Sequence, residues 1–241
     1  MNANTRWLVV SMSLAVTAAC SGATAERPST APEPSPDPAI RVIEGHVNGD
    51  GEYPGYTVEA PTGWSSPDGG FVVKAVPGVL GVSVWDVGRI PKDPCHWRGT
   101  FDEPGRTVDG LVESLSSQRM REATTPTDVT LGGYDGLYLE WSVPDDMVVT
   151  GDADFAGCDV VRSNGHRDFI SWLGGGGGSG GGAGGSSRYQ QVAGQVDRLW
   201  ILDVNGQPLV IDATFSPDIT ATDRHELDQI VESIQFAVQA A

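Results

Sequence analysis

The segment RLWILDVNGQPLVIDATF, residues 198–215, sets two β-rich runs on either side of Asn205-Gly206. Asn-Gly tolerates positive φ at both central positions of a two-residue turn whose twist matches that of the flanking strands. The two runs should therefore pair as an antiparallel hairpin, which commits this part of the chain to a sheet. Other period-two runs can extend it: GVLGVSVWDV at 78–87, DVTL at 128–131, and LYLEWSV at 137–143 with Leu137, Leu139, Trp141 and Val143 on one face. Two segments have helical period instead. Thr107 can cap a helix with the apolar face Val108, Leu111, Val112 and Leu115; Thr220, followed by Asp223, can cap another with Leu227, Ile230, Val231 and Ile234. Strands mixed with few helices, without regular βαβ alternation, predict an α+β fold in which an antiparallel β-sheet is flanked by helices.

The chain of 241 residues divides at its start. MNANTR is followed by the apolar run WLVVSMSLAVTAA, the layout of a secretory signal peptide over residues 1–19. That run has 13 residues, short of the roughly 20 that span a bilayer as a helix. Thr17-Ala18-Ala19-Cys20 resembles a bacterial lipobox, in which the cysteine thiol receives diacylglycerol and becomes the mature N-terminus. Thr17 stands where an aliphatic residue is usual, so cleavage with release into the medium is the alternative. Residues 20–39, with prolines at 28, 32, 34, 36 and 38, cannot build a core and read as a tether, leaving one domain over 40–241. In a polyproline-like conformation such a tether reaches roughly 60 Å.

The formal net charge of −17 argues against nucleic acid as a partner and against electrostatic adhesion to anionic lipid, so membrane contact is expected through a lipid anchor alone. With Cys20 assigned to the signal boundary, Cys95 and Cys158 are left in an exported domain, where two thiols are expected to pair as a disulfide. This bears on KDPCHW at 92–97, whose Cys-His pair could otherwise suggest a reactive thiol or a metal ligand. His46, His166 and His225 are isolated in sequence, and no C-x-x-C or H-E-x-x-H spacing occurs, so neither a metal nor a cofactor is expected.

Three further stretches invite functional readings. The glycine tract GGGGGSGGGAGG, 174–185, contains G-x-S-x-G around Ser179, but it lacks Gly-Lys-Ser/Thr and a following helix, so it is expected to be a loop. In PDDMVVTGDADFAGCD, 144–159, Asp152, Asp154 and Gly157 fall at calcium-loop positions one, three and six, but Ala156 and Ser163 break the pattern at five and twelve. The tryptophans beyond the signal are Trp64, Trp85, Trp97, Trp141, Trp172 and Trp200, at positions that suit core packing better than a ligand pocket.

TVEAPTGW (57–64), SVWDVGRIPKDPCHW (83–97), TPTDVTLGGYDGLYLEW (125–141) and GQVDRLWILDVNGQPLVIDATF (194–215) resemble a group of uncharacterised actinobacterial exported proteins and lipoproteins. At fold level, a strand leading into P-x-G-W, an antiparallel sheet and a C-terminal helix are similar to PsbP-like α/β/α sandwiches, including mycobacterial LpqN-type lipoproteins. The resemblance implies a binding module and assigns no catalytic residue. The sequence reading is thus a lipid-anchored extracytoplasmic binding or accessory domain for an envelope protein or small ligand. The competing reading is an exported hydrolase whose acid and base come from Asp145, Asp146, Asp152, Asp154 or His166 and meet only in the fold.

Overall fold

The computed structural model describes residues 39–49, 53–160, 165–175 and 187–237. The signal segment, Cys20, nearly all of the tether, Ser163 and most of the glycine tract, including Ser179, lie outside the described residues. In chain order the first elements are β1 (Arg41–Gly45), β2 (Tyr56–Ala60), β3 (Trp64–Ser65), β4 (Phe71–Lys74), β5 (Leu80–Trp85), β6 (Val87–Pro91), β7 (Phe101–Asp102) and helix α1 (Val108–Ser116). Next come β8 (Thr127–Leu131), β9 (Tyr134–Ser142), β10 (Val149–Thr150), β11 (Asp154–Phe155), β12 (Ile170–Gly174) and β13 (Ser187–Tyr189). They are followed by β14 (Val196–Val204), β15 (Gln207–Phe215), helix α2 (Ala221–Glu232) and β16 (Gln235–Phe236).

The hairpin forms as its turn chemistry requires. β14 and β15 pair without a break from Val204↔Gln207 to Val196↔Phe215. Asn205 and Gly206 take φ of 56° and 83°, and the Gly206 N–H donates to Asp203 Oδ1 at 2.7 Å. This hairpin is the centre of a seven-stranded antiparallel sheet ordered β3-β4-β5-β15-β14-β9-β8. Alternation gives the sheet two buried faces. Trp200, Leu202, Ile211 and Ala213 look to one side, while Leu199, Ile201, Val210 and Leu139 look to the other.

Both helices are capped where expected: Thr107 Oγ1 accepts from the Gly110 N–H, and Thr220 Oγ1 from the Asp223 N–H, each at 3.1 Å. The α/β/α sandwich, however, is corrected. Among the described residues there are sixteen strands and only two helices, in several antiparallel sheets, so the chain is mostly β. The physical reason is size. Helices of 9 and 12 residues span only about 14 and 18 Å, whereas seven strands at about 4.8 Å spacing make a surface about 29 Å wide. Strands supply the missing cover: β1-β2-β16 beside α2 on the first face, and β13-β12-β6-β7 beside α1 on the second.

A third, smaller core lies around the bonded pair Cys95 and Cys158, with Val143, Phe155 and Phe169. No helix among the described residues is long and apolar enough to cross a membrane.

Candidate functional site

On the α1 side of the hairpin, alternation brings Asp197 of β14 and Asp212 and Thr214 of β15 to inward positions, with Asp197 opposite Thr214 and Leu199 opposite Asp212. Both carboxylates are fully buried. Buried carboxylates must be paired and hydrogen-bonded to be tolerated, and the covering elements provide the partners. Arg188 of β13 donates through Nη2 to Asp197 Oδ1 at 3.0 Å and through Nε to Asp212 Oδ2. Arg121, between α1 and β8, donates through Nη1 to Asp197 Oδ2 at 3.4 Å and through Nη2 to Ser171 Oγ at 2.6 Å. Its guanidinium lies 4.1 Å from the Trp141 ring centroid and 5.0 Å from that of Phe169, so aromatic faces share the stabilisation of its charge.

Amides complete the network. Gln195 Nε2 donates to Asp197 Oδ1 at 3.2 Å, to Thr214 Oγ1 at 2.7 Å, and to Gln190 Oε1; Trp141 Nε1 donates to Asp197 Oδ2 at 3.0 Å. The two aspartates are served unequally. Among the described residues Asp197 receives four donors, whereas Asp212 receives Arg188 alone and its Oδ1 has no partner. Burial, only partly offset by Arg188, pushes the Asp212 carboxyl up to about 7. Burial lowers Arg121 to about 10, against the pull of Asp197. For Arg188 burial works the same way, but Asp212 and Asp197 outweigh it and hold its pKa above the ordinary arginine value.

A pH dependence follows. An unfolded aspartate titrates near about 3.9, so between there and about 7 the folded chain holds more protons than the unfolded one. The stabilisation from Asp212 is therefore fully present below the unfolded pKa and is lost as the pH rises towards about 7. Asp212→Asn should flatten that slope: its urea midpoints near pH 5 and near pH 8 should differ less than those of the wild type. An identical pH dependence in both proteins would refute the assignment.

The acids proposed for hydrolysis do not gather at this centre. Asp145 and Asp146 follow β9 and line an open cleft of about 500 Å³ with Met120, Glu122 and Pro144, which touches the polar centre through Arg121 alone of its four charged members. Asp154, in the β10–β11 ribbon, is gripped by Arg167 through Nε at 3.0 Å, Nη2 at 2.6 Å and the backbone N–H at 2.9 Å. These bonds hold the Asp154 carboxyl far below the usual carboxylate range. Asp152 is exposed in the turn before it, and His166 Nε2 lies 2.9 Å from Asp168 Oδ1.

KDPCHW is a corner. Asp93 Oδ1 accepts from the Cys95 and His96 N–H groups at 3.1 and 3.0 Å, His96 is exposed, and Cys95 is closed in its disulfide. Trp64, Trp85, Trp141 and Trp172 are fully buried, and Trp200 nearly so, as core residues. His46 and His225 lie far apart in the fold order, before β2 and within α2, and no metal-ligating group of three or more acidic, histidine or cysteine residues occurs among the described residues. A second open cleft, of about 350 Å³, is lined by Asp86, Arg89, Glu103 and Arg106 and reaches Gly174 and Gly175 at the start of the glycine tract.

Sequence reasoning missed Arg121, Arg188, Asp197 and Asp212. One signal was present: LVIDATF carries an aspartate inside an apolar run, where inward and outward positions are both expected to be hydrophobic.

No protein-family model matches the chain, and no curated protein matches it by sequence. Among solved structures, it is similar to the solution structure of cyanobacterial PsbP (CyanoP) from Synechocystis sp. PCC 6803. The two share 13% identity over 87% of this chain and 98% of that one, with a TM-score of 0.34. No residue role is carried over from it.

Proposed function

We propose that the chain is an extracytoplasmic binding or accessory domain, held at the membrane through Cys20 and engaging an envelope protein or small ligand without covalent chemistry. The observation that carries this reading is the buried polar centre. Arg121, Arg188, Asp197 and Asp212 have side chains at most 4% exposed and spend their charges on one another. An acid or base has to reach a substrate proton within hydrogen-bond distance; Asp197 and Asp212, the carboxylates of this centre, are fully buried, and of the four groups Arg121 borders a cleft. Of the acids read from the sequence as candidates, Asp145 and Asp146 share one cleft, while Asp154 is bound by Arg167. Binding needs only surface, and the disulfide suits an oxidising compartment outside the cytoplasm.

Cys20→Ala tests the anchor. The wild-type chain should partition with membranes and into the detergent phase of a phase-separation assay, and the variant should move to the aqueous fraction or the medium. Unchanged membrane association of the variant would sink lipidation. Native mass spectrometry of the chain released from envelope extract tests binding, with a stoichiometric adduct as the expected result. A bare mass under every mild extraction condition would count against it.

A further inference from the structure

The central sheet ends differently on its two sides. One edge strand, β3, has two residues; the other, β8, has five, Thr127 to Leu131, with an unbroken register against β9. Natural edges are guarded by charged side chains, lysine above all, and by proline, bulges or brevity; TDVTL has no lysine, proline or bulge, and its one charge, Asp128, is an anion that a cationic partner would meet favourably. Two glycines, Gly132 and Gly133 at φ 60° and 85°, join β8 to β9 as a two-residue turn. In such a hairpin the residues flanking the turn, Leu131 and Tyr134, form a hydrogen-bonded pair, and the pattern alternates from there. Val129 and Thr127 then also bond to β9. Asp128 and Thr130 point their N–H and C=O groups away from the sheet. Beyond the strand the Thr124 N–H bonds to Glu140 O at 2.8 Å, one residue out of this alternation, so the outward parity holds only within Thr127–Leu131.

The side chains along this edge also alternate. Val129 and Leu131 are half-buried against the α2-side core, while Asp128 and Thr130 are exposed on the opposite face. Asp135, across from Thr130, accepts its hydroxyl at 2.7 Å and adds a second carboxylate to that face. Neither Asp128 nor Asp135 is in an ion pair among the described residues. The β1 edge of the small sheet is a weaker candidate, because the chain enters it from residues outside those described.

We propose that β8 is a strand-addition site for an extended segment of a partner protein in which basic and apolar residues alternate. The segment would bond its backbone to Asp128 and Thr130, lay its apolar side chains beside Val129 and Leu131, and place its cations beside Asp128 and Asp135. This deepens the binding reading above and rests on it.

The probe is a blocked ten-residue peptide alternating lysine and valine, added to the full chain, with its glutamate–valine counterpart as control. The Asp128 and Thr130 amides should exchange fast in the free chain and at least tenfold more slowly with the lysine peptide, while those of Thr127, Val129 and Leu131 stay unchanged. Thr130→Pro deletes the outward N–H together with the exposed hydroxyl bond to Asp135 and should weaken binding at least tenfold with the thermal midpoint retained, whereas Thr130→Val, which loses the hydroxyl bond alone, should bind as the wild type does. Asp128→Lys should weaken the lysine peptide and favour the glutamate peptide. The proposal is overturned if Asp128 and Thr130 are already protected in the free chain, if the peptide protects neither, or if Thr130→Pro and Asp128→Lys both bind as the wild type does. A native adduct retained by Thr130→Pro would remove this edge while leaving the binding reading intact.

Discussion

Asp197→Ala is expected to lower folding stability by about 3–5 kcal/mol, the range for removing one partner of a buried ion pair. The loss is large because Asp197 is the point on which the polar centre converges. It accepts from Arg121 Nη1, Trp141 Nε1, Arg188 Nη2 and Gln195 Nε2. Arg188 would keep Asp212, but among the described residues Asp197 is the only carboxylate in an ion pair with Arg121. Without it a guanidinium with a fully buried side chain is left among Trp141 and Phe169. Against a total stability of typically 5–15 kcal/mol, that is a large fraction. Urea unfolding followed by tryptophan fluorescence and circular dichroism measures it, with Asp212→Asn as the comparison. Among the described residues Asp212 has one donor and an unpartnered oxygen, so the amide there should cost distinctly less. If Asp197→Ala lies within about 1 kcal/mol of the wild type, a value usual for surface substitutions, the centre is not held as described.

The parts of the fold that were legible in the sequence are those decided by neighbours along the chain. Asn205-Gly206 fixes its turn through two φ angles, and Thr107 and Thr220 announce their helices through bonds three residues long. The disulfide was legible by counting, because two cysteines remained after Cys20 was set aside. The balance of layers was not. Two amphipathic helices give strong periodic signals, whereas β3, β7, β10, β11 and β16 are two residues each and too short for any period to show. The helices were therefore credited with covering faces that small sheets largely cover.

The polar centre was hidden for a related reason. Arg121 comes from an irregular segment, Arg188 from a three-residue strand, and Asp197 and Asp212 from opposite strands of the hairpin, so only the sheet topology brings them together. Asp154 and His166 looked more promising because acids and a histidine were close in sequence. In the fold, Asp154 answers to Arg167, and His166 faces Asp168.

Replacing both Cys95 and Cys158 by alanine is expected to cost about 4 kcal/mol, from the loop-closure entropy returned to the unfolded chain when a link across 63 residues is cut. The native corner has little apolar core to compensate with. That core consists of the two cysteines with Val143, Phe155 and Phe169, and backbone bonds tie its segments together. They include the Asp159 N–H to Cys95 O at 2.8 Å and the Ile170 N–H to Pro94 O at 2.9 Å. The same links join KDPCHW to the segment leading into β12, which covers the polar centre through Ser171. Loosening should therefore be graded. In hydrogen exchange of the double variant, amides near residues 95–98 and 154–159 should lose protection first, while β14 and β15 keep the protection of the global fold. Thermal and urea midpoints of the double variant, and of the wild type with and without reductant, give the magnitude. Midpoints that do not move on reduction would mean that Cys95 and Cys158 add nothing to stability, and would reopen KDPCHW as a site with a chemical role.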